Sequence, residues 1–183
     1  MQNKAQMRIK IDIDNVIRNM SKEMVDIYNE MFGERMTVED ICCYDVRKAF
    51  PKFEEAGMDA RHEFFSSKRY RTFFLAEQMP DAISGIRKLK EMGHEIIIVS
   101  YQPDALNRLY TIEWIKKNQV PFDNIVLLDE EDKTHVKADY IIDDNPKFLD
   151  MDSAKKVCID WAYNRTGKYD YRVKSILEFA NSI

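Results

Sequence analysis

The chain reads as a three-layer, Rossmann-like α/β protein: a parallel sheet covered on both faces, with a small helical insert after the first strand. Three observations predict this class. Apolar, β-branched runs suited to buried parallel strands alternate with segments of helical period. Several of those runs end on polar residues, which in a parallel sheet gather along one edge. Between the first and second runs, Glu34 to Glu77 contains no convincing strand and is rich in aromatics and mixed charge.

The elements follow in order. The stretch Arg8 to Val16 reads as a short first strand that ends on Asp12 and Asp14. Strand side chains alternate faces, so these two acids are expected to project the same way at its carboxyl end. Arg8 and Lys10 share that face, where a central parallel strand should be apolar, and their long stems are expected to snorkel outward. Val16 to Phe32 has apolar residues at helical steps, with Gly33 as its stop. Pro80 opens a helix running to Met92, ended by Gly93. Glu95 to Ser100 is a buried strand, Pro103 to Asn118 a helix, and Asn124 to Leu128 a third strand. Asp139 to Asp143 and Lys156 to Asp160 are the fourth and fifth. A final amphipathic helix spans Tyr171 to Ala180.

At 183 residues the chain can bury one full core with an embedded subdomain, rather than two independent domains. A net charge of −4 argues against a dedicated nucleic-acid binder, which needs a basic face. No apolar run approaches bilayer-spanning length, and Met1 to Met7 carries no hydrophobic signal region, so a cytoplasmic setting is expected. Cys42, Cys43 and Cys158 make neither a disulfide framework nor a zinc spacing and read as reduced thiols. His62, His94 and His135 are scattered, away from metal-ligand spacing.

By itself Asp12-x-Asp14 is weak, since chance supplies about two such matches at this Asp content. Context strengthens it. The second strand ends at Ser100, the fourth at Asp143-Asp144, and Lys133 lies on the loop between the third and fourth. Several acids, a hydroxyl and a lysine converging on one crevice suit Mg²⁺ and a phosphate group. Alone, Ser100 is a strand-end hydroxyl, Asp143-Asp144-Asn145-Pro146 a turn, and the acidic run Asp129 to Asp132 a solvated loop.

This ordered set resembles the haloacid dehalogenase-like (HAD) hydrolase superfamily, over Lys10 to about Asn164. Within it the wording is closest to the 5′(3′)-deoxyribonucleotidase group and its bacterial relatives. The matching stretches are Lys10-Ile-Asp-Ile-Asp-Asn-Val-Ile17, Met79-Pro-Asp-Ala-Ile-Ser-Gly-Ile-Arg-Lys-Leu89, Asp132-Lys-Thr134 and Ala138-Asp-Tyr-Ile-Ile-Asp-Asp-Asn-Pro146. The resemblance implies a core of residues 1–16 and 80–183 and a helical cap of 17–79 that closes over the site. It implies that Asp12 is the nucleophile and Asp14 the general acid and base. Ser100 and Lys133 would hold the phosphoryl oxygens. Mg²⁺ would be bound by Asp12, the backbone carbonyl of Asp14, and one of Asp143 and Asp144.

Three features depart from the pattern. Asn15 stands where Gly is common, Tyr101-Gln102 follows Ser100 where smaller residues are common, and Lys137 rivals Lys133 for the lysine position. Asn tolerates a left-handed backbone, so the turn after Asp14 survives.

The expected activity is Mg²⁺-dependent phosphomonoester hydrolysis through an aspartyl-phosphate, with a (deoxy)nucleoside monophosphate as substrate. Alternatives are a sugar phosphate or a nucleic-acid 3′-phosphate. A receiver-type phosphoacceptor domain would carry its acidic pair early and its lysine late, the reverse of the order here. A non-catalytic binding member would be expected to lack motif residues, and all are present. No membrane partner is expected, and a homodimer is left open.

Overall fold

The computed structural model describes residues 5–183. Among them are β1 (Arg8–Ile11), β2 (Glu95–Tyr101), β3 (Asn124–Leu128), β4 (Tyr140–Asp143), β5 (Lys155–Ile159) and β6 (Tyr171–Val173). They form one parallel sheet in the order β3-β2-β1-β4-β5-β6. Strand order reverses between β1 and β4, and the crevice at such a reversal is where α/β sheets bind ligands. Ile11 lies opposite Ile142, and the Asp12 amide donates to the Ile142 carbonyl at 3.0 Å. Asp12 and Asp143 therefore leave the sheet side by side.

After β1 the chain turns through residues 15–19 into α1 (Met20–Phe32), followed by the short α2 (Val46–Ala49), α3 (Lys52–Glu55) and α4 (Ala60–His62). Two π-helical turns, Glu63–Ser67 and Arg71–Leu75, complete the insert. Its apolar residues form a cluster of their own around Tyr28, Phe50, Phe53 and Phe64. The Phe rings meet edge to face, with centroids 4.9 Å (Phe50–Phe64) and 5.1 Å (Phe53–Phe64) apart, the arrangement aromatic quadrupoles favour.

The chain returns through α5 (Ala82–Glu91), α6 (Ala105–Lys117), α7 (Pro146–Met151) and α8 (Ile176–Ser182). Apolar side chains of α5, α6 and α8 join Ile9, Ile11, Ile96, Ile98 and Ile142 in the main core. Gly85 lets α8 approach closely: a Cβ there would stand 2.3 Å from the Leu177 nitrogen. On the other face α7 sets Leu149 against Ile141 and Cys158.

That second face corrects one expectation. Lys10 does not snorkel outward; it is only 1% exposed. The β3–β4 connection holds no helix and crosses this face as a loop, whose carbonyls need donors once buried. The Lys10 ammonium supplies them, donating to the carbonyls of Lys133 at 3.0 Å and Val136 at 2.8 Å and pairing with Asp152. Arg8, nearer the strand's start, is exposed and pairs with Glu95 at 3.0 Å.

Boundaries shift for local reasons. The first helix starts at Met20 rather than Val16, because Asn15 adopts φ +59° and residues 15–19 form a turn. The second begins at Ala82, after Asp81 at φ +57°. Tyr171 to Val173, expected as helix, is instead a sixth strand, and α8 starts after the Ser175 cap. The sequence reading missed α7, although Asn145 as cap followed by Pro146 is a helix-start signal.

Candidate active site

The loop after β1 places Asp12 beside the carboxyl end of β4, which carries Asp143 and Asp144. All three are buried, and one ligand atom from each falls within 4.8 Å of the others. The Lys133 ammonium enters from the β3–β4 loop, donating to Asp12 Oδ1 at 2.8 Å and Asp143 Oδ2 at 2.6 Å. It also lies 4.3 Å from the centroid of Phe148, a cation–π contact. Lys10 pins this loop from beneath by holding the Lys133 carbonyl. The rival Lys137 is exposed.

Asp14 lies outside the three-carboxylate cluster. Its Oδ1 accepts two N–H groups from Arg18, at 2.8 and 2.6 Å, and its Oδ2 accepts from Gln102 Nε2 at 2.8 Å. Gln102 is also 3.4 Å from the Ser100 hydroxyl, so the end of β2 joins the site through this side chain. Asp144 accepts a hydrogen bond from the Tyr163 hydroxyl, which in turn accepts from Asn15 Nδ2 at 3.2 Å. Trp161 stacks on Tyr163 at 6.0 Å and donates to the Asn15 carbonyl at 2.9 Å. Tyr44, from the insert, meets Tyr163 edge-on at 6.1 Å.

Charge sets the chemistry. Four carboxylates, Asp12, Asp14, Asp143 and Asp144, face two cations, Lys133 and Arg18. Burial pushes the Asp143 carboxyl up to about 6, against the pull of Lys133. Burial, reinforced by Asp143 and Asp12, holds Asp144 well above the carboxylate range. Asp14 is also raised by burial, against the opposing effect of Arg18. Burial alone would lower the Lys133 ammonium, yet Asp12 and Asp143 outweigh it and the net shift is upward. Tyr44 is exposed at the mouth of the site, and desolvation together with the negative charge of Asp144 and Asp12 raises the pKa of its hydroxyl. Asp12, Asp143 and Asp144 could together hold a hard cation through their carboxylate oxygens.

The structure thus brings together Asp12, Lys133, Asp143 and Asp144 directly, and Asp14 and Ser100 through Gln102. Sequence reading missed Arg18, Gln102, Tyr163 and Thr111, which bonds Arg18. One signal was available: Arg18 is a charge that follows the apolar pair Val16-Ile17 and stands two residues before Met20.

Residues 6–183 match the family model described as 5′ nucleotidase, deoxy (pyrimidine), cytosolic type C protein. The 5′(3′)-deoxyribonucleotidase of Bacillus subtilis is 24% identical over 167 residues, covering 90% of this chain and 91% of that protein. The human mitochondrial 5′(3′)-deoxyribonucleotidase is 22% identical over 147 residues, 76% of this chain and 63% of that one. Among solved structures, the L-2-haloacid dehalogenase of Xanthobacter autotrophicus aligns with a TM-score of 0.66 at 8% identity, over 97% of this chain and 98% of that one. A magnesium-bound HAD hydrolase of Bacillus subtilis aligns at 0.60 and 13% identity, over 98% and 99%. These structures share the fold.

Proposed function

Since the chain belongs to the 5′ nucleotidase, deoxy (pyrimidine), cytosolic type C family, of HAD fold and phosphoric monoester hydrolase activity, we propose that it is a Mg²⁺-dependent 5′-nucleotidase working through an aspartyl-phosphate on Asp12. One observation carries the reading. The pocket holds two more carboxylates than cations, the deficit that one divalent ion would fill.

The donor set fits Mg²⁺. Asp143 already gives one oxygen to Lys133 and the other to the Asn145 amide at 2.9 Å, whereas Asp144 has an oxygen with no donor among the described residues. Asp12, Asp144 and the Asp14 carbonyl would therefore hold the ion, with Asp143 behind them. When bound, the cation neutralises charge on the transferring phosphoryl group. A Bacillus subtilis neighbour of the same fold is bound to magnesium, which supports the choice of metal.

Asp12 attacks phosphorus with the oxygen not held by Lys133. As the Asp12–phosphorus bond forms, the bond to the leaving oxygen breaks, and Asp14 supplies that oxygen with a proton. A water then attacks the phosphoenzyme, returning its proton to Asp14 and releasing Asp12 and inorganic phosphate. Lys133 and Ser100 hold the phosphoryl oxygens. Residues 17–79 serve as a cap that excludes bulk water and selects the leaving group. Tyr44, and Tyr163 backed by the buried Trp161, would give the mouth of the site flat apolar faces suited to a nucleoside. The same reading places the protein in the cytoplasm; among the described residues no helix is long and apolar enough to cross a membrane.

Phosphate release measured over nucleotides and sugar phosphates, with Mg²⁺ or a chelator, tests the assignment. A (deoxy)nucleoside monophosphate should be the best substrate, and both chelation and Asp12→Asn should abolish turnover. Release that survives either treatment sinks the mechanism.

A further inference from the structure

Arg18 is a fully buried guanidinium, and packing alone gives no reason for it. An ion pair this deep is often replaceable by apolar groups without loss of stability. What distinguishes Arg18 is the direction of its fork. Nε and one terminal nitrogen grip Asp14 Oδ1, while the other terminal nitrogen donates to the Phe73 carbonyl at 2.6 Å. Both terminal nitrogens reach Thr111 Oγ1 of α6 at 3.2 Å. The group lies between the rings of Phe73, at 5.0 Å, and Trp114, at 5.6 Å.

The backbone around it joins the two connections between insert and sheet. Arg18 pairs with Gln78 as an antiparallel bridge. The Asn19 amide donates to the Glu77 carbonyl at 2.8 Å, and the Met79 amide to the Ile17 carbonyl at 2.7 Å. Trp114 Nε1 fixes the Ala76 carbonyl at 2.7 Å. The exit from β1, the return of the insert and α6 thus meet at one side chain, whose remaining donors hold Asp14.

We propose that Arg18 is a positioning residue for Asp14, aligning its carboxyl for proton transfer only when the return segment Phe73 to Met79 is seated against α6. The inference rests on the reading of Asp14 as proton carrier. Two donors on Oδ1 and Gln102 on Oδ2 leave the carboxyl little rotational freedom, and the planar fork transmits any shift of Phe73 to it. A lysine keeps the charge but not the fork.

The test compares two substrates. A deoxynucleoside 5′-monophosphate has an alkoxide leaving group that needs a proton; p-nitrophenyl phosphate has a phenolate that departs without one. Arg18→Lys should lower kcat for the nucleotide about 100-fold, the effect of a misplaced general acid, and for p-nitrophenyl phosphate by less than about tenfold. Thr111→Val, which loosens the far end of the fork without touching Asp14, should show the same substrate dependence at smaller amplitude, and carries the comparison if Arg18→Lys does not fold. Arg18→Lys combined with Asp14→Asn should be no slower than Asp14→Asn alone. Equal losses on both substrates, or losses that multiply in the double variant, overturn the proposal.

Hydrogen exchange in the metal-free protein separates this from the enzyme assignment. Coupling is reciprocal, so Asp14→Asn should speed exchange of the Asn19 and Met79 amides. If the wild-type protein releases no phosphate from either substrate, the enzymatic reading fails while the exchange result still reports the coupling. Exchange unchanged by Asp14→Asn means the paired segments around Arg18 and Gln78 are not linked to Asp14, and overturns the proposal.

Discussion

Lys10→Met is the sharpest probe of how the site is supported. The Lys10 ammonium is buried against Asp152 and the carbonyls of Lys133 and Val136, and no water is needed to satisfy it. Methionine fills a similar volume but leaves Asp152 charged and buried without its partner, an effect of about 3–5 kcal/mol. A domain of this kind has only about 5–15 kcal/mol in total. With a urea m-value of about 2 kcal/mol/M, the unfolding midpoint should fall by about 2 M. Lys10→Met/Asp152→Leu removes the orphaned charge but not the two bare carbonyls, so it should recover only part of the loss. Both variants release the Lys133 loop from below, so phosphate release should drop even where the fold survives. A Lys10→Met midpoint within experimental error of the wild type would refute the reasoning, since it would place the ammonium in water.

Other outcomes follow from the same geometry. Mg²⁺ at about 100 times its dissociation constant should stabilise the fold by about 2.7 kcal/mol, read as a higher melting temperature that Asp144→Asn abolishes. Without metal, stability should fall as pH rises: Asp143 titrates near 6 in the folded protein against 3.8 as a free carboxyl, so the native state holds the extra proton between those values and loses that advantage above them. Melting in chelator across that window should show the decline, and saturating Mg²⁺ should flatten it. Tyr44→Ala should raise KM for a nucleoside monophosphate by about 10- to 100-fold through lost stacking, and raise KM for p-nitrophenyl phosphate less.

Most of the sheet was legible in the sequence because buried parallel strands leave an unmistakable local mark. Glu95 to Val99 is such a strand; Asn124 to Leu128, at the sheet's edge and not buried, is recognised by its apolar run alone. Strand β6 was not legible, since three residues at a sheet edge carry almost no period and Tyr171 to Val173 continues smoothly into the helical spacing of α8. The start of α1 was misplaced because turn geometry at Asn15, not hydrophobic spacing, decides where the helix begins.

The site divides the same way. Asp12, Asp14, Ser100, Lys133, Asp143 and Asp144 were named from their order along the chain and their places at strand ends, both properties of the sequence. That Lys133 and not Lys137 reaches Asp12 depends on the path of one loop across β1, which Lys10 holds in place. Gln102 and Tyr163 have no period or motif to announce them, and each matters because a carboxylate from elsewhere in the fold lies within hydrogen-bond reach; Arg18 grips Asp14 only four residues away, but its direction is set by Phe73 and Thr111. Side-chain type and spacing, which are local, determined the fold class and the acids at the strand ends. The donors that orient those acids, and the excess charge that calls for a cation, are long-range properties that exist only once β1, β2 and β4 are packed side by side.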